Sequence, residues 1–376
     1  MFSSRIQDLH ASPIREVLAL AGRPGMISFA GGLPCADTFP VFETPIPPAL
    51  LQYGATEGEP GLRAHISTAL RALGLDCTTE QVLILSGSQQ GIDLVAKLFV
   101  DLRTAVALES PTYLAALQVF RFFGARFVPF TVDPLTDRAW FVERPALVYV
   151  IPTFQNPTGY CYTSREREAL AEACARQAVP VFEDDPYRDL AYDACDRKPV
   201  CAHLKDTPWI YQGSFSKTLA PGLRLGFLAA SPALMPALVR LKQAADLHSN
   251  RLSQWLVLQQ LEHPDWPARL ANLVITYRHQ RDVFARHLTQ HFAGLASWQV
   301  PAGGLFFWLT LNEPLDTTRL LETALAHGVA FMPGAPFYAD TAPRPSTLRL
   351  NFSHASGPEA DRGLKILADL VRQYTP

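Results

Sequence analysis

The chain has 376 residues, of which 48% are hydrophobic and 18% charged, with a formal net charge of -2. That length predicts two or three lobes and not one simple core, and the composition is that of a folded globule, which excludes a disordered chain. No basic run accompanies the near-neutral charge, so the bulk electrostatics give no case for nucleic acid, and no apolar stretch approaches the roughly 20 residues a bilayer span needs.

The N-terminus, MFSSRIQDLHASPIREVLAL, is interrupted by Asp8 and Glu16 and has no apolar segment behind a basic start. Neither a secretory signal nor a transit peptide is expected, and a cytoplasmic location is. Six scattered cysteines without a C-x-x-C pair fit reduced thiols in that compartment, and no clustered Cys and His ligands suggest zinc. The first forty residues, rich in Gly and Pro around Phe29-Ala-Gly-Gly-Leu-Pro34, read as an extended arm.

Beyond Glu80, short apolar runs alternate with helical periodicity. Strands are expected at 81–86, 104–108, 126–132, 147–151, 179–183, 210–212 and 224–229. Helices are expected at 91–100, 113–123 and 164–177, the last with Ser164 as N-cap, and a long helical stretch begins at 233. Near-continuous apolar strands separated by helices imply a mostly parallel sheet covered on both faces. Ligands of such sheets bind outside the carboxyl ends of the strands, so those ends are expected to carry the chemistry. From about Pro264 the texture changes. A long amphipathic helix at 266–287 leads to the segment Gly303-Gly-Leu-Phe-Phe-Trp-Leu309, a helix at 317–327, extended segments at 329–333 and 347–352, and a final helix at 358–371. The expected division is an N-terminal arm at 1–45 that completes a small domain, a large domain at 46–264, and a small α+β domain at 265–376 opened by the long helix.

Gly213-Ser-Phe-Ser-Lys-Thr-Leu-Ala-Pro-Gly-Leu-Arg-Leu-Gly226 is the most informative segment. A lysine in a small-residue turn between apolar strands is desolvated, which lowers its pKa and frees Lys217 to form a Schiff base. Ser214, Ser216 and Arg224 put two hydroxyls and a fork of donors beside it, an environment suited to a phosphate dianion. Taken alone, Ser-x-Lys is a surface loop; its strand context argues otherwise. In Ser86-Gly-Ser-Gln-Gln-Gly91, between a strand and a helix, the amides of Ser88 and Gln89 form an anion site to which the Ser88 hydroxyl can add. Arg349 lies in Leu348-Arg-Leu-Asn-Phe352, and an arginine among apolar residues is costly unless it meets an anion such as a carboxylate. Gly31 and Gly32 would let backbone approach a substrate closely.

The chain resembles the fold-type I pyridoxal-phosphate enzymes, and more narrowly the class I/II aminotransferases of the 2-aminoadipate/kynurenine branch. The similarity runs from Ile27-Ser-Phe-Ala-Gly-Gly-Leu-Pro34 to Leu348-Arg-Leu-Asn-Phe352. It implies an α/β fold in which a mostly parallel seven-stranded sheet lies between helices beside a smaller α+β domain. It also implies pyridoxal 5'-phosphate as cofactor, with Lys217 as its Schiff-base lysine and proton shuttle. In Val181-Phe-Glu-Asp-Asp-Pro-Tyr187, Asp184 matches the carboxylate that pairs with the pyridine nitrogen; its neighbour Asp185 is set aside on spacing from Tyr187. Tyr187, with Asn156 of Gln155-Asn-Pro-Thr-Gly159, matches the donors to the cofactor's phenolic oxygen, and Tyr113 matches the aromatic stacked on its ring. Arg349 matches the residue that grips the substrate carboxylate, with Asn156 and Gly32 also on the substrate side. Arg23 is expected near the distal carboxylate of acidic substrates. Tyr53 matches a tyrosine that reaches a neighbouring subunit's cofactor phosphate, which implies a homodimer.

The implied activity is ping-pong transfer of an amino group between an L-amino acid and a 2-oxo acid, with glutamate and 2-oxoglutarate as one pair. The residues leave aromatic, branched-chain and acidic donors open, and lyase, racemase, decarboxylase or cyclase outcomes are alternatives on the same scaffold. A regulator with a DNA-binding domain is disfavoured because the family-like arm starts within thirty residues, and a non-catalytic scaffold fits poorly with so many matched polar residues.

Overall fold

The computed structural model describes residues 4–6, 17, 23, 25–42, 45–131, 143–340 and 346–374. In chain order, the arm supplies β1 (Ile27–Ser28), followed by α1 (Pro60–Ala72), β2 (Val82–Leu85), α2 (Ser88–Phe99), β3 (Ala105–Glu109) and α3 (Leu114–Phe122). Next come β4 (Arg126–Phe130), β5 (Leu147–Val150), α4 (Ser164–Gln177), β6 (Val181–Asp184), β7 (Trp209–Ser214) and β8 (Gly226–Ala230).

Strands β2 to β8 form a seven-stranded sheet in the order β2-β8-β7-β6-β5-β3-β4. All pairings from β7 through β4 are parallel, and only β8 runs against the rest. The near-continuous apolar runs are explained by burial on both faces. Ile84, Ala107, Val148, Val181, Tyr211 and Ala229 pack into one apolar cluster. The alternate residues Leu83, Val106, Leu147, Tyr149, Phe182 and Ile210 pack into another on the opposite face, as the two-residue period of a strand requires. The predicted strand at 126–132 ends at Phe130, and Val132 lies outside the described residues.

After β8 the chain forms α5 (Met235–Asp246), α6 (Arg251–Leu261), α7 (Trp266–Phe292) and β9 (Ala296–Trp298). It continues through β10 (Phe306–Leu311), α8 (Thr317–Ala326), β11 (Val329–Ala330), β12 (Met332–Pro333), β13 (Thr347–Asn351) and α9 (Gly357–Tyr374). Strands β12-β13-β10-β9 make a second, antiparallel sheet, and β1 of the arm pairs in parallel with β11. A third apolar cluster holds this part together. Helix α7 contributes Leu273, Tyr277, Phe284, Leu288 and Phe292, and α9 contributes Ala360, Leu364, Leu367 and Val371, both at helical spacing. Each fully buried Leu or Phe contributes about 1.5–3 kcal/mol relative to exposure. The arm is tied in by backbone bonds from Phe29 N to Ala330 O and from Asn351 N to Phe29 O, each 2.8 Å. It thereby delivers Ala30 and Gly32 to the edge of the large sheet.

Two local expectations are corrected. The N-cap of α4 is Thr163, not Ser164: its hydroxyl accepts from the Glu166 amide while Glu166 accepts from the Thr163 amide, a capping box set one residue earlier. The helical stretch from 233 breaks at Leu247, where φ is +63°, and Asn250 caps a new helix. Among the described residues no helix is long and apolar enough to cross a membrane.

Candidate active site

The carboxyl ends of β6 and β7, the turn after β5 and the amino end of α2 converge on a cavity of about 280 Å³. Ser88, Gln89, Tyr113, Asn156, Asp184, Tyr187, Ser214, Ser216, Lys217 and Arg224 line it, together with Ile151 and Pro186. The segments are far apart in sequence; the parallel sheet brings their ends to one edge.

At one end lie the donors. Gly87, at φ +83°, is the N-cap of α2, and the first amides of that helix belong to Ser88 and Gln89. Arg224 follows a short turn at φ +50°, an uncommon backbone for a non-glycine residue. A side chain at Gly87 would collide with the Arg224 guanidinium, and a Cβ on Gly226 would stand 2.9 Å from the Ser88 amide nitrogen. The Ser214 hydroxyl accepts from the Ser216 amide at 3.2 Å. Two missing side chains thus leave room where helix amides, hydroxyls and a guanidinium meet, the donor set for a dianion.

At the other end Asp184 is fixed on both oxygens, by the Tyr149 hydroxyl and the Gln212 amide, each at 2.9 Å. Burial pushes its carboxyl up to about 6, the hydrogen bonds from Gln212 and Tyr149 oppose this, and the charge of Asp185 adds to it. A buried carboxyl held this way suits a cationic partner. Asp185 faces a different cavity, bonded to Tyr211 at 2.9 Å and paired with Arg188 at 3.2 Å. The strand alternation therefore separates two acids that are adjacent in sequence.

Between the ends, Lys217 Nζ donates to the Gly32 carbonyl at 2.7 Å. Burial first, then the charges of Arg349 and Arg224, bring its amine down to about 8. The Asn156 amide nitrogen lies 3.5 Å from the Tyr187 hydroxyl, and its oxygen accepts from Arg349 at 2.7 Å. Burial also raises the phenols of Tyr113, to about 12, and Tyr187. Arg349 donates to the Ala30 carbonyl at 2.5 Å, lies over the Phe306 ring at 4.2 Å, and keeps a buried Nε without a hydrogen bond. Burial lowers it to about 10 against the opposing effect of Tyr187 and Tyr113. Among the described residues no carboxylate hydrogen-bonds to this guanidinium.

Gly32 is at the rim: a Cβ there would stand 2.9 Å from the Phe306 ring and 3.9 Å from Lys217 Nζ. Four residues named from the sequence are not among those that line this cavity: Arg349 and Gly32 adjoin it through Asn156 and Lys217, whereas Arg23 and Tyr53 lie apart from it. Arg23 is exposed. Tyr53 is 76% exposed and lies against His248 in a separate hollow with Leu51, Asn250 and Arg251. Sequence reasoning missed Tyr149, Gln212 and Phe306. The signal for Gln212 was its presence as a lone amide in an apolar strand; Tyr149 and Phe306 read as core.

A pyridoxal-phosphate-shaped ligand fits the donor chemistry: a dianion site, a buried acid for a ring nitrogen, and a depressed lysine amine between them. Residues 46–367 match the family model described as Aminotransferase class I and II. The aromatic-amino-acid aminotransferase 1 of Thermococcus litoralis is 34% identical over 99% of this chain and 94% of its own. The 2-aminoadipate transaminase of Thermus thermophilus is 38% identical, covering 92% of this chain and 90% of its own. The crystal structure of the alpha-aminoadipate aminotransferase of Thermus thermophilus, complexed with N-(5'-phosphopyridoxyl)-L-leucine, superposes with a TM-score of 0.88 at 33% identity, covering 99% of this chain and 97% of that one.

Proposed function

The chain belongs to the class I and II aminotransferases and is a pyridoxal-phosphate-dependent enzyme, and from that premise we propose which residues carry the reaction. When bound, pyridoxal phosphate supplies an aldehyde that takes up the amino group and a cationic ring that accepts electron density. Ser88, Gln89, Ser214, Ser216 and Arg224 hold its phosphate. Asp184, oriented by Tyr149 and Gln212, keeps the ring nitrogen protonated. Asn156 and Tyr187 donate to the phenolic oxygen, and Tyr113 covers one ring face.

Arg349 receives the substrate α-carboxylate. The observation that carries this assignment is its buried guanidinium, which among the described residues meets no carboxylate and bears an unpartnered Nε. A substrate carboxylate clamped there orients the Cα–H bond toward Lys217 Nζ. An amine near 8 is neutral often enough at pH 7 to take that proton. Gly32 leaves the approach open, since a side chain would press on Phe306.

Glutamate and 2-oxoglutarate form one substrate pair, and the other donor comes from the aromatic and aminodicarboxylic acids for which the relatives are named. Arg23 meets the distal carboxylate of the acidic ones. Residues 46–264 act as the cofactor-binding domain, with 1–45 and 265–376 forming the smaller domain beside it. The working unit is a cytoplasmic homodimer. Its support is the exposed Tyr53, which lines a hollow separate from its own chain's cavity. Sedimentation at twice 41.5 kDa is the expected result.

The test of the activity is the visible spectrum of cofactor-loaded protein during titration with L-amino acids in the absence of any oxo acid. Loss of the yellow band with stoichiometric release of the matching 2-oxo acid is expected for true donors. A spectral change without oxo acid would replace this reading with a lyase, racemase or decarboxylase.

A further inference from the structure

Away from the cofactor cavity, three side chains that could bind a metal ion converge between α7 and α9. His287 and His291 are four residues apart on α7, so both face the same side of the helix. Asp361 reaches them from the second turn of α9. The His291 Nε2 lies 2.7 Å from Asp361 Oδ1, and the His287 Nδ1 lies 3.1 Å from the same oxygen. One ligand atom from each of the three residues falls within 4.8 Å of the other two. The His287 Nδ1 is shielded from solvent yet makes no hydrogen bond, because Asp361 stands at the right distance in the wrong direction.

We propose that His287, His291 and Asp361 form a binding site for a divalent transition cation of the zinc class, with water completing its coordination. Two imidazole nitrogens and one carboxylate oxygen are the donor set of open zinc sites, and paired histidines at i and i+4 are a recurring way of supplying two of them. With bonds of about 2.0–2.2 Å, ligand atoms around a tetrahedral ion stand about 3.3–3.6 Å apart. His287 and Asp361 are already close to that spacing. His291 and Asp361 must separate by about 0.6–0.9 Å, which a half-exposed aspartate can do by rotation.

The backbone beneath is held in place. Phe284, Leu288 and Phe292 on α7 and Ala360 and Leu364 on α9 are buried in the same apolar cluster. An ordinary ion pair accounts for the contact between His291 and Asp361; it does not account for a second imidazole turned inward with its nitrogen unpartnered. Nitrogen donors select against magnesium and calcium, which take oxygen ligands. The charge of Lys365 also acts on Asp361 and opposes a cation, which weakens binding. A bound ion ties the last helix to the long one and leaves the cofactor cavity untouched, since none of the three residues lines it.

The test is calorimetric titration of the tag-free, cofactor-loaded protein with Zn2+, repeated with Co2+ to read visible ligand-field bands. One ion per chain is expected, reversed by chelator, with a rise in the thermal midpoint. Asp361→Asn is expected to weaken binding tenfold or more, and His287→Ala/His291→Ala to abolish both binding and the midpoint rise. Should the double variant fail to retain cofactor, the unmodified protein still decides the matter: Zn2+ must protect His287 and His291 from acylation by diethyl pyrocarbonate. Absence of saturable binding overturns the proposal. So does undiminished binding by the double variant, which would assign the ion to thiols such as Cys161 and Cys195.

Discussion

Depression of the Lys217 amine is the property on which the proposed proton transfer depends, and it can be measured directly. In the cofactor-free protein the amine stands at about 8 in place of the usual 10.5, mainly through burial and then through the Arg349 and Arg224 charges. At pH 7 an amine titrating near 8 is neutral about one time in ten, against about three in ten thousand for an unperturbed lysine, a gain of ~300-fold. Competitive trace labelling with acetic anhydride, read by mass spectrometry of the Lys217 peptide against a peptide amine standard, reports this ratio across pH. Reactivity is expected to rise to an inflection near 8 and then level. In Arg349→Met the inflection moves upward, because one neighbouring cation is gone, yet it stays below 10.5, because burial is the larger cause. Labelling that keeps climbing tenfold per pH step to pH 10 would refute the reasoning, and an Arg349→Met inflection unmoved or lowered would refute the assigned role of that charge.

Arg349→Gln leaves substrate carboxylate without its partner and is expected to lower kcat/KM by about 2–5 kcal/mol, or thirtyfold to several thousandfold; steady-state kinetics check it, and a change under threefold would reject the assignment. Gly226→Ala puts a methyl 2.9 Å from the Ser88 amide nitrogen, so cofactor affinity should fall at least tenfold while the circular dichroism spectrum stays unchanged; wild-type affinity would show that this end does not hold the phosphate. Burial raises Asp184 to about 6 and both Glu109 and Glu183 to about 7. Raised acids favour the folded state below their unfolded values near 4, and that contribution disappears as pH climbs through 6 to 7. The urea midpoint of the cofactor-free protein should therefore fall between pH 4.5 and 7.5, and fall less in Glu109→Gln; identical slopes in the two proteins would contradict the burial argument.

The candidate site was largely legible in the sequence because its residues cluster at strand ends, where polar runs interrupt apolar ones. Lys217 with Ser214, Ser216 and Arg224 could be read in one segment, and Ser88 and Gln89 in another, since a strand-to-helix turn is a local feature. Apolar strands broken by helices also indicated a parallel sheet, because burial on both faces leaves a continuous hydrophobic run. Other properties depended on pairs of residues distant in the chain. The choice between Asp184 and Asp185 is made by the alternation at the end of β6, which turns Asp184 to Tyr149 and Gln212 and the next residue, Asp185, to Tyr211 and Arg188. The Gly32 carbonyl reaches Lys217 only because the arm pairs with β11, three hundred residues away. The antiparallel course of β8, the capping of α4 by Thr163, and the meeting of His287 and His291 with Asp361 follow likewise from packing. Local sequence determines which groups are available and how each segment folds; the distances and burial that set their charge arise only when those segments pack together.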